Sequence, residues 1–387
     1  MLLARTSRHP RAVPQVRHLA LLAGALLLLF LGVPAGRAQP AGRELDFFSV
    51  IAIPVDASAE TASAAKGPAL AEGQRKALRI LLQRMTLRAD QDKLPRVDEN
   101  MLNGLVRGIE LADERTSATR YLARLTVRFN ADGVRRLLRS ARIPFTESLS
   151  RPVVVVPVFE QDDGSRVLWE ADSNPWRQAW ADREIGDALV PILLPRSDVI
   201  DAGAVDARTA IAGDEARLAK FAQRYGTTDS LVALAALQGD SDRPTAIQVT
   251  VQRHGGGATY LAETFSVAAS ATATGATLMA QAVKEVAARL DDGWKQNTVI
   301  RFDAENSLSA TVRFASLADW IALRDRVGQV AGMQRVDVAT MTNHDAQVVL
   351  HYFGNPQQLA TVLAQRDLQL AEVGGFWTLN LASARPQ

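Results

Sequence analysis

Residues 151–181 read RPVVVVPVFEQDDGSRVLWEADSNPWRQAWA, and the parsing of this stretch decides the fold. Val153–Val156 is an unbroken apolar run, the pattern of a strand covered on both faces. Asp163-Gly164 suits a hairpin turn, with Val167, Leu168 and Trp169 as the return. Asn174 followed by Pro175 is the pairing that caps and opens a helix. Together these signals predict a buried strand, a hairpin and a helix start, the spine of a central α/β domain.

Downstream, Leu189 to Leu194 is a Pro-bounded apolar segment, and a helix is predicted from Asp214 to Tyr225 with Gly226 as its stop. Ser230 to Leu237 repeats the buried-strand pattern. Thr245 to Val251 and Tyr260 to Val267 then make a hairpin around His254-Gly255-Gly256-Gly257, and a helix from about Gly275 to Trp294 closes the unit.

Upstream, Phe47 to Val55 reads as a strand, and the polar stretch Asp56 to Lys66 leads to a long helix with Leu70, Ala77, Leu78, Leu81, Leu82 and Met85 on one stripe. Met101, Leu102, Leu105 and Val106 mark a second helix. Tyr121, Ala123, Leu125, Val127 and Phe129 alternate with Arg120, Arg124, Thr126 and Arg128, as in a half-buried strand. Asn130 caps a third helix carrying Val134, Leu137 and Leu138.

From Val299 the pattern runs strand (Leu308 to Phe314), helix (Leu317 to Val327), strand (Gln334 to Ala339), strand (Ala346 to Phe353), helix (after Asn355-Pro356) and strand (Leu368 to Val373), with a hairpin extension through Gly374-Gly375 to Phe376–Leu381. This is the βαββαβ, ferredoxin-like order. The expectation is therefore a mixed α+β protein of three small α/β units: residues 39–149, 150–297 and 298–387.

Residues 1–38 carry Arg5, Arg8, Arg11, Arg17 and Arg37, no acid, an apolar core from Leu19 to Val33, and small residues before Ala38. That is the plan of a cleaved signal peptide, with an uncleaved inner-membrane anchor as the alternative. The expected location is the bacterial periplasm. The basic pI of about 9.0 depends on this segment, because removing five of the 44 Lys and Arg leaves 39 against 42 Asp and Glu, a balance near −3. No nucleic-acid footprint is expected from the remainder. With 0 Cys, disulfide and thiol chemistry are excluded.

The segments RKALRILLQRM (75–85), YLARLTVRFN (121–130) with VRRLLRSARIPF (134–145), RPVVVVPVF (151–159), LWEADSNPWRQAW (168–180) and RYGTTDSLVAL (224–234) resemble the proteobacterial family known as domain of unknown function 2066. The resemblance implies an exported protein and assigns it no activity. The strand entered at Tyr225-Gly226, the Thr245–Val267 hairpin and the closing helix are similar in order to the amino-terminal domain of the Tol-Pal translocation propeller protein.

The chemistry-bearing residues give no convergent catalytic set and no cofactor or metal is expected. Without the leader, His254, His344 and His351 are the remaining imidazoles, and no HExxH or Gly-x-Ser-x-Gly stands in the sequence. Gly255–Gly257 joins two strands, so it reads as a turn rather than a phosphate cradle. Asp90, Asp92, Asp98 and Glu99 lack calcium-loop spacing and read as a solvated acidic loop. Trp176 and Trp180, four apart on a helix, share one face. Exposed, they would be an aromatic contact for a sugar or partner; they read as core.

The arginines Arg120, Arg124, Arg128, Arg135, Arg136, Arg139 and Arg142 include one acid, Asp132, within their span. A hairpin near Ser117 sets Glu114 against Arg120 and Glu110 against Arg124, which leaves Arg128, Arg135, Arg136, Arg139 and Arg142 as a candidate basic patch for an envelope protein or anionic envelope surface. The functional expectation is a non-enzymatic envelope interaction or assembly factor. The alternative is a periplasmic ligand-binding protein or hydrolase acting on a cell-wall component.

Overall fold

A buried strand is stable only if helices cover both its faces, and the computed structural model supplies them around the central strand. It describes residues 47–170, 173–183, 188–240, 243–255, 262–301 and 305–381. The predicted signal segment and Gly256-Gly257 lie outside these residues. The architecture is α+β, with three sheets in one contiguous unit from Phe47 onward.

The first sheet has the order β1-β3-β2 and comprises β1 (Ser49–Ser58), β2 (Val106–Thr116) and β3 (Arg120–Phe129), all antiparallel. Helix α1 (Ala62–Met85) covers one face, and its N-cap Thr61 accepts from the Ala64 amide. Ala65, Ala69, Gly73 and Ala77, four apart, let the helix lie close to the sheet. The strand and helix thus trim the predicted loop at both ends. A 3₁₀ turn (Arg88–Lys93) takes up the acidic segment; α2 (Glu99–Leu105), capped by Asp98, and α3 (Ala131–Ser140), capped by Asn130, complete the unit.

The central sheet contains β4 (Val153–Glu160), β5 (Arg166–Val167), β6 (Ile192–Leu193), β7 (Asp229–Asp240), β8 (Arg243–His254) and β9 (Ala262–Ala268). β4 lies parallel to both β6 and β7, and β7-β8-β9 continue antiparallel. Val153, Val155 and Phe159 face α4 (Pro175–Ala181) and α8 (Gly275–Thr298). Val154, Val156 and Val158 face the opposite core, built with α5 (Val199–Ala204), α6 (Ala207–Ile211) and α7 (Glu215–Arg224). The Val run is therefore two interleaved core stripes, and all four valines are fully buried. Asn174 ties this centre together: its side chain caps α4 by accepting from the Arg177 amide, while Nδ2 donates to the carbonyls of Pro157 and Leu168, each at 2.9 Å.

The third sheet has β10 (Glu305–Arg313), β11 (Met333–Met341), β12 (Asp345–Phe353), β13 (Leu368–Val373) and β14 (Phe376–Leu381) in the order β11-β12-β10-β14-β13. With α9 (Leu317–Gly328) and α10 (Pro356–Ala364) on one face, the first five elements follow the ferredoxin-like plan. The ending differs. Gly374 and Gly375 both take positive φ, and the hairpin they make inserts β14, parallel, between β10 and β13. Leu379 of β14 is fully buried, so the inserted strand fills core that the predicted terminal strand would otherwise fill.

The sheets are tied by specific contacts. Phe145 and Ile300 form an isolated antiparallel bridge, with Ile300 N donating to Phe145 O at 3.0 Å. Lys295 Nζ on α8 donates to Gln83 O on α1 at 2.9 Å, and Trp294 Nε1 donates to Ser148 O at 2.7 Å. Arg151 pairs with Asp367 and donates to Ala364 O at the end of α10.

Candidate ligand-binding crevice

The connection from β4 to β6 passes through α4 on one face of the central sheet, and the connection from β6 to β7 passes through α5–α7 on the other. β4 pairs in parallel with β6 on one side and with β7 on the other, and β7 turns directly into antiparallel β8. A cavity of about 630 Å³ lies between α4 and α8, on one face of the sheet over the carboxyl ends of β4 and β7, within the range of small-molecule sites. Phe159, Leu237 and Met279 give it an apolar floor, Ala179 and Pro175 of α4 form one wall, and Ala276 and Ala280 of α8 form the other.

Its polar groups are Gln161, Asp162, Gln178, Asp182, Arg183 and Lys284. Arg183 is partly buried. Nη1 donates to Trp180 O and Nη2 to Ile192 O, both at 2.5 Å, and its guanidinium lies 5.8 Å from the Trp180 ring. Burial pushes this guanidinium below its ordinary range, and it forms no ion pair within 4.0 Å among the described residues. Lys284 also has no ion-pair partner among the described residues, whereas Asp182 accepts from Gln178 Nε2 at 2.8 Å. The first turn of α8, which opens at Gly275 on the cavity wall, carries no acidic side chain. The described lining includes no Ser, Thr, Cys, Tyr or His, and its ionisable groups are Asp162, Asp182, Arg183 and Lys284.

Trp176 and Trp180 lie beneath this crevice, fully buried, with rings edge to face at 5.7 Å and Trp176 Nε1 donating to Ala233 O. They are core, not a contact surface.

The arginines are distributed differently from the sequence expectation. A bulge between Ala112 and Arg115, with Asp113 at positive φ, shifts the β2-β3 register. The turn itself spans Ser117–Arg120, so the register differs from the expected one already at Thr116 and Tyr121; Arg120 pairs with Asp56 of β1, Arg124 with Asp113 and Arg128 with Glu110, while Glu114 meets Lys66 and Tyr121. Arg128 is thus not an unmet cation. Arg135 clamps Glu147 through Nε and Nη2 and reaches Asp132. Arg136, Arg139 and Arg142 are exposed on and after α3. Of the five residues of the candidate patch, Arg128 and Arg135 are held by carboxylates, and Arg139, which has a contact of its own, is exposed together with Arg136 and Arg142.

Of the histidines, His344 is exposed in the β11-β12 turn and His351 on β12 lies 3.0 Å from Asp337. His254 is 9% exposed, and neither its ring nitrogens nor Ser230 Oγ, its register neighbour, finds a hydrogen-bond partner. The described residues contain no cluster of three metal-ligating side chains, and none of their helices is long and apolar enough to cross a membrane.

Sequence reasoning missed Arg183 and Lys284, since the crevice joins residues from 159 to 284. The available signal was the pair of apolar runs, Val153–Val156 and Ser230–Leu237, whose parallel pairing locates the crevice at their ends.

Residues 55–147 match the model of a family described as a domain of unknown function, DUF8605. The match covers the end of β1 through α3 to Glu147, which is the first sheet and its helices. No curated protein matches the chain.

Proposed function

We propose that the protein is a non-enzymatic ligand-binding protein of the bacterial envelope, with its ligand held between α4 and α8. The observation that carries this reading is the cavity of about 630 Å³ over the carboxyl ends of β4 and β7, with an apolar floor and few polar groups. The Arg-rich and apolar pattern of residues 1–38 supports export, as does the resemblance of RPVVVVPVF and LWEADSNPWRQAW to domain of unknown function 2066. The similarity of the central unit to the amino-terminal domain of the Tol-Pal propeller protein supports the same compartment.

Titration with an environment-sensitive apolar dye tests the ligand reading. Ala280→Trp, which fills the crevice wall, abolishes dye binding while the circular dichroism spectrum stays unchanged; dye binding that survives this substitution in a folded variant disproves the reading. N-terminal sequencing of the exported form tests the compartment, where an intact Met1 removes the cleavage claim.

A second reading, an envelope assembly factor, is favoured by the exposed trio Arg136, Arg139 and Arg142. Its test is sedimentation with anionic phospholipid vesicles. Charge reversal at the three positions abolishes binding if this face is used.

A further inference from the structure

Resting on the ligand-binding reading, we infer that the crevice takes an amphipathic carboxylate, its apolar body on Phe159, Leu237 and Met279 and its head group on Arg183 and Lys284. The floor sets the body of the ligand, because only apolar surface gains by covering those three side chains. The charges set the head. Four ionic groups line the cavity, two of each sign. Asp182 has a hydrogen-bond donor in Gln178 and Asp162 has a contact of its own, whereas Arg183 and Lys284 form no ion pair within 4.0 Å among the described residues.

Arg183 is held in place by two backbone carbonyls and the Trp180 ring, contacts that orient a cation without neutralising it. Two of its five N–H groups are spent on those carbonyls, and three remain for a planar acceptor. A carboxylate matches that fork and gains charge-assisted hydrogen bonds in a partly desolvated place. The acid-free first turn of α8 adds positive potential to the same cavity.

The test compares decanoate, decanol and decylamine, equal in chain length, by calorimetric titration of the full chain at neutral pH below micelle formation. Decanoate binds about tenfold more tightly than decanol, the scale of one charge-assisted hydrogen bond, and decylamine binds more weakly than either. Arg183→Gln removes most of the decanoate advantage and leaves decanol unchanged, and Arg183→Lys restores part of it. Equal binding of all three overturns the head-group assignment and keeps the apolar site. Tighter binding of decylamine also overturns it, in favour of Asp162 and Asp182. Binding of none of the three, by contrast, defeats the ligand-binding reading itself. The head-group comparison on the unaltered chain remains decisive if Arg183→Gln fails to fold.

Discussion

Arg253 and Asp229 form an ion pair sealed inside the central sheet: Nε and Nη2 of the arginine lie 2.9 and 2.5 Å from one carboxylate oxygen, with the side chains 3% and 6% exposed. Removal of either partner leaves an uncompensated charge in the core, a change that costs about 3–5 kcal/mol. Asp229→Ala is expected to destabilise by that amount in urea unfolding. The double variant Asp229→Leu, Arg253→Met recovers most of the loss, because an apolar pair of similar volume carries no desolvation cost. A double variant no more stable than the single one contradicts this account.

Asn174 is expected to separate two roles. Asn174→Asp keeps the acceptor that caps α4 but loses the donor to Pro157 and Leu168 carbonyls and places a charge at a fully buried position. Asn174→Ala loses the cap, worth about 1 kcal/mol, and leaves those carbonyls short of a donor, at about 1–3 kcal/mol more. Chemical unfolding should find both variants destabilised, Ala by about 2–4 kcal/mol. Asp should recover stability as pH falls and its carboxyl regains a proton to donate.

Asp291 gives a pH dependence with a definite sign. Burial raises its carboxyl above the ordinary 3.8, although the amides of Leu189 and Val190 donate to it. A raised acid contributes stability that is complete below its unfolded value and is lost as pH rises through the folded value. The stability of Asp291→Asn relative to the unaltered chain should therefore increase as pH climbs from about 3 upward. Urea midpoints across that range measure it, and a difference that is flat or falls with pH contradicts the assignment.

Two helical glycines should respond to alanine in opposite directions. A Cβ at Gly73 would lie 2.5 Å from Val55 Cγ1 and 2.7 Å from Leu125 Cδ2, whereas one at Gly104 meets nothing within 4 Å. Gly104→Ala should stabilise by about 0.5–1 kcal/mol through helix propensity. Gly73→Ala gains the same propensity but forces α1 off the sheet, with overpacking of about 1–3 kcal/mol, so the net effect is a loss. Thermal unfolding of the two variants decides the signs.

The elements legible in the sequence were those whose signal is local. The valines of β4, the Asn174-Pro175 helix start and the alternating β3 each carry their own period or cap, and each is found where that signal lies. The misreadings concern partners. The turn at Ser117–Arg120 and the bulge beside Asp113 together set Arg124 and Arg128 against Asp113 and Glu110, β1 rather than β2 supplies Asp56 to Arg120, and no periodicity encodes register in a strand as exposed as β2. The Gly374-Gly375 hairpin was visible, but which of its strands would border β10 depends on long-range pairing. Arg183 and Lys284 come from opposite walls of the crevice and are brought together only by the fold, so neither stands out in its own neighbourhood.

The bridge between Phe145 and Ile300 makes the middle of this protein a guest in a host. Bridged antiparallel residues are separated by about the spacing of neighbouring strands, so the chain leaves the first unit and returns to the third at one doorway. A hairpin-sized linker of about two to five residues could span that doorway in place of everything between. The host would then be the DUF8605-matching unit joined directly to the last sheet, and the crevice would belong wholly to the guest.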